Sequence, residues 1–268
     1  MEPVSPAVYN RIDNQFYDAP ATSWWEPDSV LYLLKTSVNP LRVGFAQKKI
    51  REVPGLDPRG RSALEVGCGG GILCEEIARM GFRTTGIDPS GHSLEVARQH
   101  ARQSGLEIDY RPGNGEAIPF PDGSFEAVFC CDVLEHVRDL PRVIAEITRV
   151  LKPGGIFIFD TFNRTLLSKL VAIKLWQEWK RWAFFPPNTH VWEMFIRPAE
   201  LREVLQASGL EFRAFTGSRP SVSLPRMLGY LRKRARGKWT YKELGEQFQL
   251  VEDKDMQVLY LGWAVKPA

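Results

Sequence analysis

The sequence predicts an α/β fold built on a doubly wound, mostly parallel sheet, and two observations lead to that prediction. Residues 61–161 alternate between short apolar segments typical of buried strands and segments with helical periodicity. The first of these strands runs directly into a glycine-rich loop, residues 67–71, which a helix follows. Strands separated by helices of about ten to fifteen residues indicate parallel βαβ units, whose helices cover both faces of a sheet.

Apolar periodicity and turn residues give the order of the elements. Strands are predicted at residues 61–66, 82–87, 108–111, 125–131 and 156–160, and helices at 72–80, 90–104 and 140–151. The segment KPGG, residues 152–155, is predicted to end the last of these helices. Residues 256–265 alternate in the manner of an edge strand near the C-terminus.

Three further regions differ in composition from this α/β part. Residues 1–60 lean towards helix and are predicted to form an N-terminal cap or lid. The main domain is predicted to run from 61 to 268, with an aromatic insertion at 162–197 and a basic segment at 226–238.

The overall composition is that of an ordinary packed protein. The chain has 268 residues and a net charge of +3, which is too small by itself to indicate a nucleic-acid partner, and none is predicted. Its four cysteines have neither C-x-x-C nor zinc spacing, so we expect them to be reduced, as suits the cytoplasm. The N-terminus lacks the apolar core of a secretory signal, and no apolar run reaches the roughly 20 residues that span a bilayer.

The loop EVGCGGG, residues 65–71, is the main indication of a nucleotide-like ligand. Glycines let the backbone turn sharply and approach a ligand, and ligands of open α/β sheets bind at the carboxyl ends of strands. Asp88 closes the second strand, where its carboxylate can accept hydrogen bonds from ribose hydroxyls. A dinucleotide fingerprint is disfavoured because Ile72 stands where it requires a third glycine. The residues predicted to bracket the ligand are Glu65, Gly67, Cys68, Gly69 and Asp88.

Two alternatives remain for these features. The loop is also compatible with a glycine-rich turn without a ligand, and Asp88 with a helix cap. After the third strand, the loop at 113–120 brings Asn114 to the same edge of the sheet, where it is predicted to bond an adenine edge. An ordinary polar loop is the other interpretation of Asn114.

These segments, in their order and spacing, resemble the class I S-adenosylmethionine (SAM)-dependent methyltransferases. The segments ALEVGCGGG, GID, GNGEAIPFPDGSFE and VLKPGG carry that resemblance. Within the class, the chain is most similar to the O-methyltransferases of ubiquinone biosynthesis, from about residue 10 to residue 217. The carrying segments are NPLR at 39–42, VGCGGGI at 66–72, LEHV at 134–137, NRT at 163–165 with Ser168, TH at 189–190 and FIRPAEL at 195–201.

The resemblance implies SAM as cofactor and a seven-stranded sheet whose last strand is antiparallel. It further implies SAM contacts at Arg42, Gly67, Asp88 and Cys131. The sequence departs from the family in two places: Asn114 stands where many relatives have Asp, and an extra basic segment follows residue 217.

The residues after the fourth strand border the predicted cofactor cleft and are candidates for the chemistry. Methyl transfer from a sulfonium requires alignment, exclusion of water and removal of a proton from a weak nucleophile. A phenol has a pKa near about 10, and a histidine with a pKa near about 6.5 can accept its proton at neutral pH. We therefore predict His136 as the catalytic base, with Glu135 orienting the imidazole or binding the acceptor.

Each of these assignments has a competing interpretation. His136 also fits a packed histidine beside the cofactor, and Asp132 with Glu135 fits a helix-capping box. A divalent ion held by Asp132, Glu135 and His136 would acidify a catechol, but three ligands within five residues is thin support, and no metal is predicted.

Two residues outside this region are predicted to contact the acceptor. His190 follows the aromatic insertion and is assigned either to the acceptor pocket or to a structural loop. Trp25, beside Trp24, is assigned either to a lid over the site or to an anchor for the N-terminal helix.

The segments 164–187 and 226–238 give the chain a possible membrane-facing surface. The first is rich in Trp, Phe and Lys, which suits a membrane–water interface. The second carries six basic residues and no acidic one, which suits anionic lipid headgroups. Packing of the first segment on the domain or on a second subunit, and simple solvation of the second, are the alternatives. The residues proposed to share one helical face are Leu167, Val171, Leu175, Trp179 and Trp182.

Taken together, the sequence predicts a SAM-dependent O-methyltransferase that acts on a phenolic or hydroxyquinone acceptor with a lipid tail. It is expected to be cytoplasmic and to work at the inner face of a membrane. A methyltransferase of a soluble natural product, acting at oxygen, nitrogen or carbon, is the first alternative. A catalytically silent subunit that binds a partner through its basic and aromatic surface is the second.

Overall fold

The computed structural model describes residues 2–18, 24–180 and 183–268, and within them an eight-stranded sheet forms the centre. The spatial order of the strands is β3-β2-β1-β4-β5-β8-β6-β7. β1 to β5 pair in parallel, whereas β8 runs antiparallel to both β5 and β6, and β7 antiparallel to β6. The strands are β1 (Ser62–Val66), β2 (Arg83–Asp88), β3 (Ile108–Pro112), β4 (Phe125–Cys131), β5 (Leu151–Phe162), β6 (Glu211–Pro220), β7 (Leu250–Asp253) and β8 (Leu259–Val265).

Helices flank this sheet and carry the N-terminal and inserted segments. The α-helices are α1 (Pro6–Tyr9), α2 (Asn39–Glu52), α3 (Ile72–Arg79), α4 (Gly91–Gln103), α5 (Leu140–Val150), α6 (Leu166–Ser168), α7 (Pro198–Ala207), α8 (Leu224–Ala235) and α9 (Tyr241–Gln247). Short 3₁₀ turns lie at Asn14–Asp18, Leu134–His136 and Trp192–Met194, and π-helical segments at Leu34–Val38 and Lys169–Glu178. In the part of the chain that the structure describes, none of these helices has the length and apolar character needed to cross a membrane.

The predicted fold class is confirmed, because helices cover both faces of a largely parallel sheet. Alternate residues of β5 show the two layers. Ile156 and Ile158 join one buried cluster with residues of α2 and α3, whereas Phe157 and Phe159 join another with residues of α5 and α7. Such a strand, buried on both faces, has the near-continuous apolar sequence expected of a parallel sheet.

Three details of the sheet differ from the prediction. The described sheet has eight strands rather than seven, because the four-residue β7, too short to show periodicity, adds to the outer edge of β6. The expectation of an edge strand near the C-terminus is wrong, since β8 lies between β5 and β6 with all seven residues buried. β5 begins at Leu151, so the KPGG segment ends helix α5 but lies within the strand.

The topology brings the ends of four strands together. β1 pairs with β2 on one side and with β4 on the other, so the order of the chain reverses at β1. At such a reversal the loops that leave neighbouring strands diverge and open a crevice at their carboxyl ends. The glycine loop after β1, the end of β2 and the turns after β4 and β5 therefore border one crevice.

The N-terminal region is packed onto this framework. Helix α2 buries Phe45 and Ile50 in the same cluster as residues of β5 and β8. The aromatic insertion contains α6, the following π-helical segment and a 3₁₀ turn, but Arg181 and Trp182 lie outside the described residues. The basic segment falls mainly on α8.

Candidate functional site

The glycine loop has a backbone that few other residues can adopt. Gly67, Gly69 and Gly71 have φ values of 72°, 49° and 82°, all in the left-handed region. A Cβ atom on Gly67 would lie 2.3 Å from Cγ2 of Val133. The turn that follows β4 therefore packs directly against the backbone of Gly67. The loop therefore allows a close approach to its backbone, here by Val133, and the approach of a ligand stays a prediction.

Asp88 ties this loop to the end of the neighbouring strand. The backbone N–H of Gly69 donates to Oδ2 of Asp88 at 2.8 Å, and the N–H of Ser90 donates to Oδ1 at 2.8 Å. The N–H groups of Gly67 and Cys68 both donate to the carbonyl of Ile87, at 2.8 and 3.0 Å. The structure thus brings Gly67, Cys68, Gly69 and Asp88 together at the predicted place.

Glu65, at the base of the loop, is buried in a weakly polar environment. Burial raises the pKa of Glu65 to about 8, so its carboxyl is protonated at neutral pH. Its Oε2 has no hydrogen-bond partner among the described residues. Nearby, burial raises the pKa of Cys68 to about 11, so this thiol is inert.

Arg42 links the N-terminal helix α2 to the ends of β4 and β5. Its Nε and Nη2 donate to the two carboxylate oxygens of Asp160 at 2.5 and 2.9 Å, and it also pairs with Asp132. Burial raises the pKa of Asp160 to about 6 in spite of this cation. Burial also acts to raise the pKa of Asp132, but Arg42 holds it below its usual value. Cys131, buried at the end of β4, adjoins this group.

Asn114 has a local role in its own loop. Its Oδ1 accepts a hydrogen bond from the N–H of Ala117 at 2.9 Å, and the two residues form an isolated antiparallel bridge. The side chain is thereby held beside the crevice, on an exposed part of the loop. A contact with adenine stays a prediction.

An N-terminal strap, residues 13–18 and 24–25, crosses this edge of the sheet. The indole of Trp24 lies on the glycine loop: a Cβ on Gly70 would be 2.1 Å from its Cγ. Its Nε1 donates to Oγ of Ser93 at 3.0 Å, and the ring stacks on that of Tyr17. Burial and the nearby carboxylates of Asp132, Glu135 and Asp88, in that order, raise the pKa of Tyr17. The phenol of Tyr17 is therefore close to both the loop and the turn after β4.

Trp25 packs against the glycine loop and helix α4. Its Nε1 donates to the carbonyl of Gly70 at 2.9 Å, and its ring stacks on His100 with centroids 3.3 Å apart. These contacts fasten the strap to the loop and to α4. An acceptor contact at Trp25 stays a prediction.

His136 and His190 come together although 54 residues separate them. Their ring centroids are 5.2 Å apart, and the rings of Tyr17, Phe162 and Phe185 pack around them. Burial lowers the pKa of His136 to about 3 and that of His190 to about 4, so both imidazoles are neutral at physiological pH. Nε2 of His136 and Nδ1 of His190 are buried with no hydrogen-bond partner among the described residues.

Glu135 hydrogen-bonds Thr161, whereas the sequence predicts a contact with His136 or with the acceptor. Its Oε2 accepts a hydrogen bond from Oγ1 of Thr161 at 2.7 Å, and its Oε1 has no partner in the described part of the chain. Burial, reinforced by the charge of Asp132, raises the pKa of Glu135 well above its usual value and so favours the neutral carboxyl. The imidazole of His136 is instead in hydrogen-bond contact with Asn14, whose Oδ1 lies 3.0 Å from its Nδ1.

Sequence reasoning missed three residues that shape this group. Asn14 and Tyr17 come from a short turn without periodicity, far from the motifs in the chain. Gln177 hydrogen-bonds both the N–H and the carbonyl of His190, at 2.7 and 3.2 Å, and so fixes that loop. A glutamine inside an aromatic insertion was the only available signal. Among the described residues no cluster of three or more metal-ligating side chains occurs.

The comparisons with known proteins agree with this geometry. The chain matches the methyltransferase domain family over residues 64–159. A ubiquinone biosynthesis O-methyltransferase of Sinorhizobium medicae (strain WSM419) is 37% identical over 207 residues, which cover 75% of this chain and 82% of that protein. One from Rhizobium johnstonii is 33% identical over 257 residues, covering 94% and 93%. A solved SAM dependent methyltransferase from Aquifex aeolicus, 14% identical, shares the fold with a TM-score of 0.56 over 90% of this chain and 99% of that one.

The raised pKa of Glu65 predicts how stability depends on pH. The native state keeps the proton of Glu65 up to about pH 8, whereas the unfolded chain loses it near its ordinary pKa of 4.5. The contribution of Glu65 to the free energy of unfolding is therefore full below that value and is lost as pH rises towards 8, by at most about 1.4 kcal/mol per pH unit. Glu65→Gln should remove this loss. In urea unfolding, the free energy of unfolding of the variant should therefore rise relative to that of wild type as pH increases from 5 to 8.

Glu126→Gln provides the matched control. Its carboxyl has a lowered pKa, since Lys152 and the N–H of Ser62 outweigh the opposing effect of burial. Glu126 is ionised in both states above pH 5. Glu126→Gln should therefore leave the slope of the free energy of unfolding against pH unchanged between pH 5 and 8. An unaltered slope in Glu65→Gln would mean that Glu65 is ionised in the native protein.

Proposed function

The chain is a SAM-dependent methyltransferase that belongs to the ubiquinone biosynthesis O-methyltransferase family, and from this premise we propose that it methylates a phenolic or hydroxyquinone hydroxyl on a lipid-tailed acceptor. The observation that carries the proposal is the cluster of two neutral imidazoles, His136 and His190, within aromatic rings beside the glycine loop. Such a surface suits a flat, weakly acidic ring whose proton must be removed.

The residues around the crevice fit the donor. Gly67 and Gly69 present backbone without a side chain, against which Val133 and Trp24 pack in this conformation. The Asp88 carboxylate stands at the position suited to a ribose. Arg42 and Cys131 complete the proposed donor site on the side of β4 and β5. When bound, SAM supplies an electrophilic methyl group on a sulfonium.

His136 acts as the proposed general base. The low pKa keeps its imidazole unprotonated, so the lone pair on Nε2 is available for the hydroxyl proton of the acceptor. Because so weak a base holds a proton poorly, proton transfer is favoured only as the acceptor oxygen forms its new bond to carbon. The charge of Asp132 stabilises the imidazolium that results.

Glu135 is the proposed second contact to the acceptor. Its raised pKa favours the neutral carboxyl, which has an O–H to donate, and Thr161 fixes its orientation. A second oxygen on the acceptor ring, as in a catechol or a hydroxyquinone, would accept that hydrogen bond. Glu135 therefore favours acceptors with two neighbouring oxygens.

The strap is the proposed lid. Tyr17 forms one wall of the imidazole cluster, and Trp24 covers Gly69 and Gly70. A lid at this place excludes water from the reacting groups, and it has to move for ligands to enter and leave.

His136→Ala tests the assignment of the base. It should lower kcat about 10²- to 10⁴-fold with a catechol acceptor, because the proton loses its acceptor, and should leave the affinity for SAM unchanged. His92→Ala, on the first turn of α4, is the control. A nitrocatechol, already ionised at neutral pH, should depend much less on His136. Wild-type turnover of an un-ionised catechol by the variant would remove His136 from this role.

The proposed lipid tail rests on an exposed apolar and basic surface. In α8, Leu224 and Leu228 lie on one face and are 61% and 38% exposed, and no acidic residue occurs between 224 and 238. In the aromatic insertion, Leu166, Leu170 and Trp179 are 80%, 51% and 56% exposed. Exposed apolar groups among cations suit an anionic bilayer, in which the acceptor dissolves.

The two parts of this surface meet. Phe184, in the insertion, contacts Tyr241 of α9 with ring centroids 5.9 Å apart. Together with Leu231 and Arg234 of α8, these rings line a cavity of about 370 Å³. We propose that the insertion and α8 contact the same membrane.

Sedimentation with vesicles of phosphatidylglycerol and phosphatidylcholine tests this contact. Wild type should pellet at low salt and be released at about 1 M salt, where charges are screened beyond about 3 Å. Arg232→Glu/Arg236→Glu should stay in the supernatant. The control, Arg51→Glu/Arg83→Glu, makes the same change of charge at exposed positions on α2 and β2 and should still pellet. Wild type remaining in the supernatant at low salt would favour a soluble acceptor.

A further inference from the structure

A long-range hydrogen bond joins the strap to the proposed base. Oδ1 of Asn14 lies 3.0 Å from Nδ1 of His136, and the two residues are 122 positions apart in the chain. Asn14 begins the 3₁₀ turn of the strap, and His136 ends the 3₁₀ turn that follows β4. Both turns are short and irregular, so no sequence pattern predicts that they meet.

The chemistry of the amide determines the tautomer of the imidazole. An amide oxygen can only accept a hydrogen bond, so Nδ1 of His136 carries the proton and donates it to Asn14. A neutral imidazole has one N–H, and Nε2 then carries the lone pair. That nitrogen is the one buried without a partner among the described residues.

Other contacts hold Asn14 in place on both sides. The N–H of Asp13 donates to the carbonyl of Asn188, two residues before His190, at 2.8 Å. On the other side, Oγ of Ser93 donates to the carbonyl of Tyr17 at 2.8 Å, which ties the turn to α4. The amide therefore belongs to a turn fixed at both ends, as a group that orients another side chain must be.

We infer that Asn14 is a positioning residue, which holds His136 as the Nδ1-protonated tautomer and so presents Nε2 to the acceptor when the strap is closed. This inference rests on the proposed role of His136. It gives the strap a second task beyond the exclusion of water, since closure also prepares the base. A strap that is open leaves the imidazole free to adopt either tautomer.

The surroundings of His136 contain few other groups that could take over this task. Tyr17 meets the ring edge-on with centroids 5.8 Å apart, and His190 is 5.2 Å away. Asp132 is the carboxylate whose charge acts on the imidazole. Among the described residues, the hydrogen bond to the ring itself comes from Asn14.

Turnover and its pH dependence form the first test. Asn14→Leu, of similar size, removes the acceptor atom and should lower kcat about 10- to 100-fold, the range typical of lost supporting hydrogen bonds, with little change in KM. Asn14→Asp keeps the acceptor and adds a charge, which raises the pKa of His136. Activity should then be retained at high pH, and the acidic limb of the pH–activity profile should move up by about 1 to 3 pH units. Asn10→Leu, an exposed asparagine at the end of α1, is the control.

The tautomer can be measured without any acceptor. The chain has only four histidines, so ¹⁵N-histidine labelling, with His136→Gln to assign the signals, resolves the ring nitrogens of His136. Wild type should show a protonated Nδ1 and an unprotonated Nε2. Asn14→Leu should show a mixture of the two tautomers while the other histidine signals stay unchanged, which also demonstrates that the variant is folded.

The two measurements separate the possible failures. One outcome is that His136→Ala is inactive while Asn14→Leu keeps the wild-type tautomer, turnover and acidic limb of the pH–activity profile. In that case Asn14 has no positioning role, and His136 is still supported as the base. If His136→Ala keeps wild-type turnover, the proposed function of His136 fails, and the inference fails with it whatever the tautomer. A tautomer that changes in Asn14→Leu together with a loss of kcat supports the inference.

Discussion

The carboxylate of Asp88 constrains the glycine loop, and most of the site depends on that contact. It accepts the N–H of Gly69 and of Ser90, so the loop after β1 and the start of α4 share one acceptor. The loop keeps its left-handed backbone because Gly67, Gly69 and Gly71 tolerate positive φ. Val133, in the turn after β4, packs against the loop, which positions the 3₁₀ turn that carries Glu135 and His136.

Burial decides the charge of the groups in this crevice. It keeps Glu65 protonated and both imidazoles neutral, and it raises the pKa of Glu135, whereas Arg42 retains its charge between Asp132 and Asp160. The carboxylates that stay charged suit the proposed cationic donor, and the neutral imidazoles suit the proposed neutral acceptor. The strap contributes to this environment, because Tyr17 and Trp24 cover the rings and the loop from outside.

The sequence predicts the local parts of this arrangement well and the long-range parts poorly. The glycine loop and the end of β2 follow from patterns within 25 residues, and α3, α4 and α5 lie within two residues of their predicted bounds. The interior position of β8 could not be predicted, since alternation in a strand does not reveal which strands pair with it. Likewise, the contact of Asn14 with His136 depends on how two irregular turns meet across 122 residues. The ion pair of Arg42 with Asp160 was not predicted, because the resemblance implied only a cofactor contact for Arg42.

Calorimetric titration with S-adenosylhomocysteine tests the central claim, that the donor binds on bare backbone at the glycine loop. Wild type and Gly44→Ala, whose added methyl would meet no atom within 4 Å, should bind with a Kd in the range typical of enzyme ligands, about 1 μM to 1 mM. Gly67→Val should give no heat, because its side chain would enter the crevice and collide with Val133. Absence of heat with wild type, or unchanged binding by a folded Gly67→Val, would contradict the account.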